Sequence, residues 1–196
     1  MVVVVGEVRE PLLAALGQSP NIALVRPPAP EQEPDRLIAA AAALAEAGRR
    51  PAPFVLVPAD PLAGVAAEWR AMWDLSAGVA GAVAFEAQAA AALAAWRANR
   101  FELPDYYVSL TPSTADGTGP DLYLGPLRAA RPRRVAAVLT AADDGQAAAQ
   151  VRQALRELPH GPWWPPLDEL LGSARTFFAG SLGGSGVAPV GGATSR

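Results

Sequence analysis

Residues 2–5 are four consecutive valines, and this short apolar run is the feature that most constrains the fold. A strand with one solvent-facing side alternates apolar and polar residues, whereas a strand buried on both faces is a continuous apolar run. Comparable segments occur at 21–27, 54–60, 106–111 and 135–141, with longer alanine-rich segments between them. The pattern predicts a mostly parallel sheet of about five strands with helices on both faces.

The segments between the predicted strands have the periodicity of helices. In one of them Val65, Trp69, Met72 and Trp73 stand at i, i+4, i+7 and i+8, which predicts a single buried helix face. The continuous apolar runs indicate helices on both faces of the sheet, and crossovers between parallel strands are right-handed. The sequence therefore predicts a three-layer, doubly wound α/β domain, Rossmann-like or flavodoxin-like, whose strand order the pattern leaves open.

The length of the chain and its hydrophobic content fit one domain. Of 196 residues, 51% are hydrophobic, which is enough for one well-buried core. We expect this domain over 1–179 and a flexible Gly-, Ser- and Ala-rich tail over 180–196, where large apolar residues are few. The uncharged run 75–85 is too short to span a bilayer, and the first residues lack the features of a signal peptide. We therefore expect a cytoplasmic protein with no membrane association.

Residue types that are missing from the chain exclude several kinds of chemistry. There are no cysteines, which excludes thiol catalysis, thiolate metal ligands and disulfides. All 16 Lys or Arg positions are arginine, which excludes a Schiff-base lysine and the lysine of a phosphate-binding loop. The single histidine excludes sites with two histidine ligands, and the net charge of −3 argues against a protein that coats nucleic acid.

Polar residues follow each predicted strand, at the edge where parallel α/β sheets bind their ligands. Loops at this edge are also rich in residues that cap helices, so capping is the alternative interpretation of each position. The candidates for ligand binding are Glu7, Arg26, Asp60, Thr111, Ser113 and Asp143.

The turn after the first strand, GEVREPLLAALG, lacks both glycine-rich phosphate-binding patterns. Its Glu7 and Glu10 would repel phosphate. Glu7 and Asp60 would lie side by side if the first and third strands were neighbours, an arrangement that suits acid–base chemistry or a divalent ion. No metal-ligand spacing supports a metal site, and no serine lies in a G-x-S-x-G motif, so we predict no metal, no cofactor and no catalytic residue.

Two segments have the composition of a protein contact surface, RAARPRR at 128–134 and ELPHGPWWPPLDELL at 157–171. Arginine and tryptophan are the residues that most often supply binding energy at interfaces. Successive side chains of an extended segment alternate, so one tryptophan of the pair should pack inward and the other outward. His160 is expected to cap the preceding helix or to be exposed. The interface candidates are Arg128, Arg131, Arg133, Arg134, His160, Trp163 and Trp164.

Taken together, these features favour a non-catalytic α/β binding or accessory module that acts through contacts with a protein partner. The alternative is a small enzyme or ligand-binding domain with a site at the carboxyl ends of the strands, for a phosphorylated or nucleotide-like small molecule. The arginine cluster has no interleaved aromatic residues, which argues against nucleic acid. A concave pocket lined by Glu7, Asp60 and Thr111, with backbone N–H groups free to bind a ligand, would favour the alternative, and a closed, shallow strand edge would exclude the enzyme.

Overall fold

A five-stranded, all-parallel sheet lies at the centre of the protein, with the strand order β2-β3-β1-β4-β5. The structure is a computed structural model that describes residues 1–28, 36–73, 78–112, 121–140 and 143–183. The predicted parallel sheet is confirmed. Its strands are β1 (Val2–Gly6), β2 (Ile22–Leu24), β3 (Phe54–Val57), β4 (Tyr106–Pro112) and β5 (Val135–Thr140).

Helices connect the strands, as the periodicity of the intervening segments predicts. A short π-helical turn, Tyr123–Leu127, leads directly into α5, and it contains Pro126. The α-helices of the described residues are α1 (Glu10–Gly17), α2 (Arg36–Ala47), α3 (Ala63–Met72), α4 (Gly78–Arg97), α5 (Arg128–Ala130), α6 (Asp144–Arg156) and α7 (Leu167–Gly183).

The valines of β1 alternate between two hydrophobic cores, one on each face of the sheet. Val3 and Val5 belong to the core under α2, α3, α4 and α7. Val2 and Val4 belong to the core under α1 and α6. All four valines are buried, which confirms the prediction of a strand covered on both faces and of a three-layer arrangement.

The strand order matches neither the 3-2-1-4-5 arrangement of the Rossmann fold nor the 2-1-3-4-5 arrangement of flavodoxin. From β1 the chain passes to the edge strand β2, returns to β3 beside β1, and then crosses β1 to reach β4 and β5. The connections that leave β1 and β4 therefore run in opposite directions. Such a switch in direction opens a crevice at the carboxyl ends of the strands, where α/β sheets bind ligands.

Within the described ranges, one helical stretch, Val79–Arg97, is long and apolar enough to cross a membrane by length and composition, with a mean hydropathy of 1.4. A mostly buried helix of a hydrophobic core meets the same criteria, and 28% of this stretch is buried. Phe85, Ala89 and Ala92 of α4 are buried in the core, and Glu86 makes a two-pronged ion pair with Arg175 of α7, with N···O distances of 2.7 Å. In this fold α4 is thus one helix of a covering layer.

The boundaries of the last helix differ from the sequence expectation. The predicted domain ends at residue 179, whereas α7 continues to Gly183. Gly180 and Gly183 lower the intrinsic helix propensity, which explains the early boundary. The predicted tail beyond 183 lies outside the described residues.

Replacing Gly6 with alanine is expected to destabilise the fold. Gly6 has φ +91°, and a Cβ there would overlap the carbonyl oxygen of Leu110 on the neighbouring strand. Strained backbone and steric overlap of this kind typically cost about 2–4 kcal/mol. Urea denaturation would measure the loss.

Gly172→Ala is the matched control, because nothing lies within 4 Å of a Cβ at that position in α7. Alanine in a helix interior is more stable than glycine by roughly 0.5–1 kcal/mol, so this variant should be as stable as the unmodified protein or more stable. Equal effects of the two variants would contradict the close approach of β1 and β4 at Gly6.

A candidate ligand cleft at the carboxyl edge of the sheet

A cleft of about 800 Å³ lies where β1, β3 and β4 end, at the switch in strand direction. Glu7, Asp60 and Thr111 come from three separate strand ends, and all three line this cleft. β1 and β3 are hydrogen-bonded neighbours, which is the condition for Glu7 and Asp60 to share a site. The structure thus brings three of the predicted ligand-binding residues into one concave site.

A tight turn at the end of β1 sets the position of Glu7. The Val8 N–H donates to the Gly6 carbonyl at 2.8 Å, and the Glu7 N–H donates to the Leu110 carbonyl at 3.3 Å. The Glu7 side chain is exposed at the cleft. These two N–H groups are bound within the fold, whereas a phosphate-binding loop directs its N–H groups at the ligand.

Asp60 lies deep in the site and is held by two tyrosine hydroxyls. Tyr107 of β4 donates to Oδ1 at 3.0 Å, and Tyr123 of the π-helical turn donates to Oδ2 at 2.5 Å. The backbone N–H of Leu62 also binds this carboxyl group. Asp60 is only 6% exposed, although it lines the cleft. One carboxyl group thereby joins the end of β3 to β4 and to the π-helical turn.

Burial is the main influence on the ionisation of this trio. It raises the pKa of Asp60 from 3.8 to about 6, against the hydrogen bonds from Tyr123, Leu62 and Tyr107, which lower it. Burial, together with the nearby Asp60 charge, raises the pKa of Tyr107 and of Tyr123 well above 10. Both hydroxyls therefore keep their protons and act as donors, while the carboxyl group changes charge slightly below neutral pH.

The remaining charged side chains of the cleft lie on its helical side. Asp121 Oδ1 accepts the N–H groups of Tyr123 and Leu124, each at 2.8 Å, which holds the start of the π-helical turn. Asp121 Oδ2 lies 3.9 Å from an Arg70 guanidinium nitrogen. Arg36, the first residue of α2, also lines the cleft. Within the described part of the chain, no group of three or more His, Asp or Glu side chains could hold a metal ion.

Two further predicted ligand-binding residues, Arg26 and Asp143, do not line this cleft. Arg26 pairs with Glu10, since β2 is an edge strand and its end lies beyond β3. Asp143 caps α6, because its side chain accepts the Gln146 N–H at 2.8 Å. Helix capping is the alternative interpretation of this residue in the sequence. Ser113 lies outside the described residues.

Sequence reasoning missed Tyr107, Tyr123 and Asp121. Tyr107 of β4 is fully buried, so its hydroxyl needs a partner inside the protein. A tyrosine at an inward position of a buried strand is the one signal that could have identified the Asp60 network. No sequence pattern pairs Asp60 with Tyr107 or Tyr123, which lie 47 and 63 positions further along the chain.

The arginine cluster binds the backbone of the Trp-Pro connector, residues 157–166. Arg131 Nε donates to the Trp163 carbonyl at 2.6 Å, and Arg133 donates to the His160 carbonyl at 3.1 Å. The buried Arg134 donates to the carbonyls of Gly161 at 2.7 Å and Pro162 at 3.0 Å. The two predicted contact segments thus bind each other within the fold.

The two tryptophans of the connector point in opposite directions. Trp164 is buried, and its indole N–H donates to the Pro104 carbonyl at 2.7 Å. Trp163 is 51% exposed, with the Arg134 guanidinium 4.8 Å from its ring centroid. His160 is exposed beyond the end of α6, and its backbone carbonyl forms the contact with Arg133. Arg128, the remaining interface candidate, is exposed on α5.

The fold and the cleft define a three-layer α/β domain with a concave site at the carboxyl edge of its sheet. Comparisons with protein-family models, with curated proteins and with solved structures give no match. The function is therefore argued from the geometry of the chain itself.

Asp60→Asn is expected to change how stability depends on pH. The folded state raises the pKa of Asp60 from 3.8 to about 6, so the folded state binds this proton more tightly than the unfolded state. The stability that the proton contributes is fully present below pH 3.8 and is lost as the pH rises through 6. At 1.36 kcal/mol per pKa unit, the loss is about 3 kcal/mol.

Urea denaturation at about ten pH values between roughly pH 3.5 and 7.5 would give the free energy of unfolding of wild type and variant. The difference between the two curves measures the contribution of the Asp60 proton. Asparagine has nearly the same shape, but an amide nitrogen replaces one carboxylate oxygen, so one tyrosine hydroxyl must accept from it instead of donating. That change is independent of pH, so the pH-dependent part of the difference reports the ionisation of Asp60. Glu102→Gln, an exposed site outside the cleft, is the control and should follow wild type. Parallel curves for wild type and Asp60→Asn would show that Asp60 does not titrate in the fold as described.

Proposed function

We propose that this chain is a small-molecule-binding domain whose ligand occupies the cleft at the carboxyl ends of β1, β3 and β4. One observation carries the proposal: Glu7, Asp60 and Thr111, which follow or end three different strands, line a single cleft of about 800 Å³ at the switch in strand direction. Pockets of small-molecule sites commonly measure about 300–1,000 Å³ and combine apolar walls with a few convergent polar groups.

The buried Asp60 supports a functional site as well as a structural one. A purely apolar arrangement would avoid the cost of burying a carboxyl group, and groups with strongly shifted pKa values are concentrated at functional sites. With its pKa near 6, Asp60 is also suited to accept or donate a proton, so an enzyme falls within this proposal. The strand-end turn does not favour a phosphorylated ligand, because Glu7 is acidic and the N–H groups of its turn are already bound.

A ligand screen with a blocked-cleft variant would test the proposal. Ala67 is exposed and lines the cleft, so Ala67→Trp should fill part of the cleft without disturbing the core. Nucleotides, sugar phosphates, amino acids, amines and divalent ions would each be tested for a rise in the thermal midpoint. Saturation at 100 times the dissociation constant adds about 2.7 kcal/mol to the free energy of unfolding. We expect at least one compound to stabilise wild type but not Ala67→Trp.

Ala42→Trp serves as the control, because Ala42 is exposed on α2 and does not line the cleft. It should keep the response of wild type. Failure of every compound, or equal stabilisation of Ala67→Trp and wild type, would contradict a ligand site in this cleft.

A contact surface for a protein partner is the second candidate, and Trp163 is the observation that favours it. This side chain is 51% exposed and is held in place by Arg134, whose guanidinium also lies 5.1 Å from the Tyr106 ring centroid. An ordered, exposed tryptophan loses little conformational entropy when a partner covers it, which is typical of residues that dominate interface energies.

The two tryptophans provide a matched test of this second candidate. Trp164→Ala should cost about 3–5 kcal/mol of stability, because it removes a buried side chain. Trp163→Ala should cost about 1 kcal/mol, mostly through the lost cation–π contact, and should weaken association with a partner recovered by the wild-type protein. Loss of stability in both variants with unchanged association would show that the connector only packs the fold.

A further inference from the structure

The walls of the cleft are aliphatic and lack hydrogen-bonding side chains over much of their surface. Ala39 and Ala40 of α2 face the site from one side, and Ala63, Ala66 and Ala67 of α3 face it from another. Methyl groups offer neither donors nor acceptors, so contact with these walls favours a ligand with an apolar body. Polar recognition comes from the strand ends and from the charged side chains on the helical side.

The strand ends contribute two carboxylates, which are acceptors when ionised, and the Thr111 hydroxyl, which can donate or accept. Glu7 presents a carboxylate at the cleft and has no hydrogen-bond or ion-pair partner within the described residues. Tyr123 lines the cleft, but its hydroxyl proton is already donated to Asp60. A ligand group that meets these residues must therefore bring hydrogen-bond donors of its own.

Asp60 has acceptor capacity that the described residues do not use. A carboxylate offers about four acceptor positions. Tyr107, Tyr123 and the Leu62 N–H occupy three of them, and the group still borders the cleft. The unused position lies in a site that is 6% exposed, where charge interactions are screened far less than at the surface.

We propose that the ligand is a small primary amine with an aliphatic body, whose ammonium group binds between Asp60 and Glu7. This inference rests on the proposed function, because it names the ligand class of the same cleft. An ammonium group supplies three donors and a positive charge, which matches two carboxylates that have no cationic partner in the described structure. The alanine walls then contact the carbon chain.

The cationic residues of the cleft do not oppose this assignment. Arg70 lies 3.9 Å from Asp121, so its charge is balanced within the helical wall, and its side chain is 69% exposed. Arg36 is exposed at the start of α2. Solvent screens an exposed guanidinium, whereas the buried Asp60 interacts with an ammonium group at lower dielectric.

Three probes of equal chain length would identify the group that the site selects. Calorimetric titration at pH 7.5 would compare n-pentylamine with 1-pentanol and pentanoate, which differ only in the head group. We expect the amine to bind about tenfold more tightly than the alcohol, and the carboxylate not to bind. Equal or tighter binding of pentanoate would overturn the proposal, as would the failure of the amines from n-propylamine to n-hexylamine to bind at millimolar concentration.

Two variants would locate the ammonium group. Asp60→Asn and Glu7→Gln should each weaken the affinity for n-pentylamine about tenfold and leave that for 1-pentanol nearly unchanged. Glu102→Gln should have no effect on either. Glu7 is exposed, so its variant remains informative if Asp60→Asn folds poorly. An amine affinity that neither variant alters would overturn the proposal.

Failure of this inference is distinguishable from failure of the proposed function. If a neutral or anionic compound binds wild type but not Ala67→Trp, and no amine does so, the cleft is a ligand site but not an amine site. If no compound depends on Ala67, both proposals are wrong.

Discussion

The burial of β1 on both faces is the constraint on which the rest of the structure depends. Its valines anchor the two cores, and the strand lies between β3 and β4 at the middle of the sheet. Because the chain leaves β1 toward one edge and later crosses it toward the other, the crevice at its carboxyl end stays open. The same strand thus stabilises the domain and places the cleft.

Asp60 couples that cleft to the packing around it. Its carboxyl group connects β3, β4 and the π-helical turn through two buried tyrosines, so the segments that line the cleft share one polar centre. Buried hydrogen-bonded networks are costly when one member loses its partner. The position of Tyr123 at the cleft is therefore linked to the charge of Asp60 and to any group that binds the Asp60 carboxyl group.

The sequence predicted the layers of the fold better than the site. Runs such as Val2–Val5 define buried strands locally, so the parallel sheet and its helices followed from pattern alone. Glu7, Asp60 and Thr111 were found because strand ends converge in any parallel sheet. Tyr107, Tyr123 and Asp121 were missed, since their contacts depend on strand order and on a π-helical turn, and short-range periodicity contains neither. Three of the arginines bind backbone carbonyls within the chain, and composition alone does not show whether such side chains bind inside the fold or to a partner.

The way the arginines hold the connector has a consequence for sequence variation. Arg131, Arg133 and Arg134 contact backbone carbonyls of residues 160–163, and every residue type has a carbonyl. Side chains at 160 and 162 can therefore change while the path of the chain is preserved. The contacts that hold the Trp163 backbone do not depend on the side chains at 160 and 162, so these two positions can vary chemically at little cost to the fold.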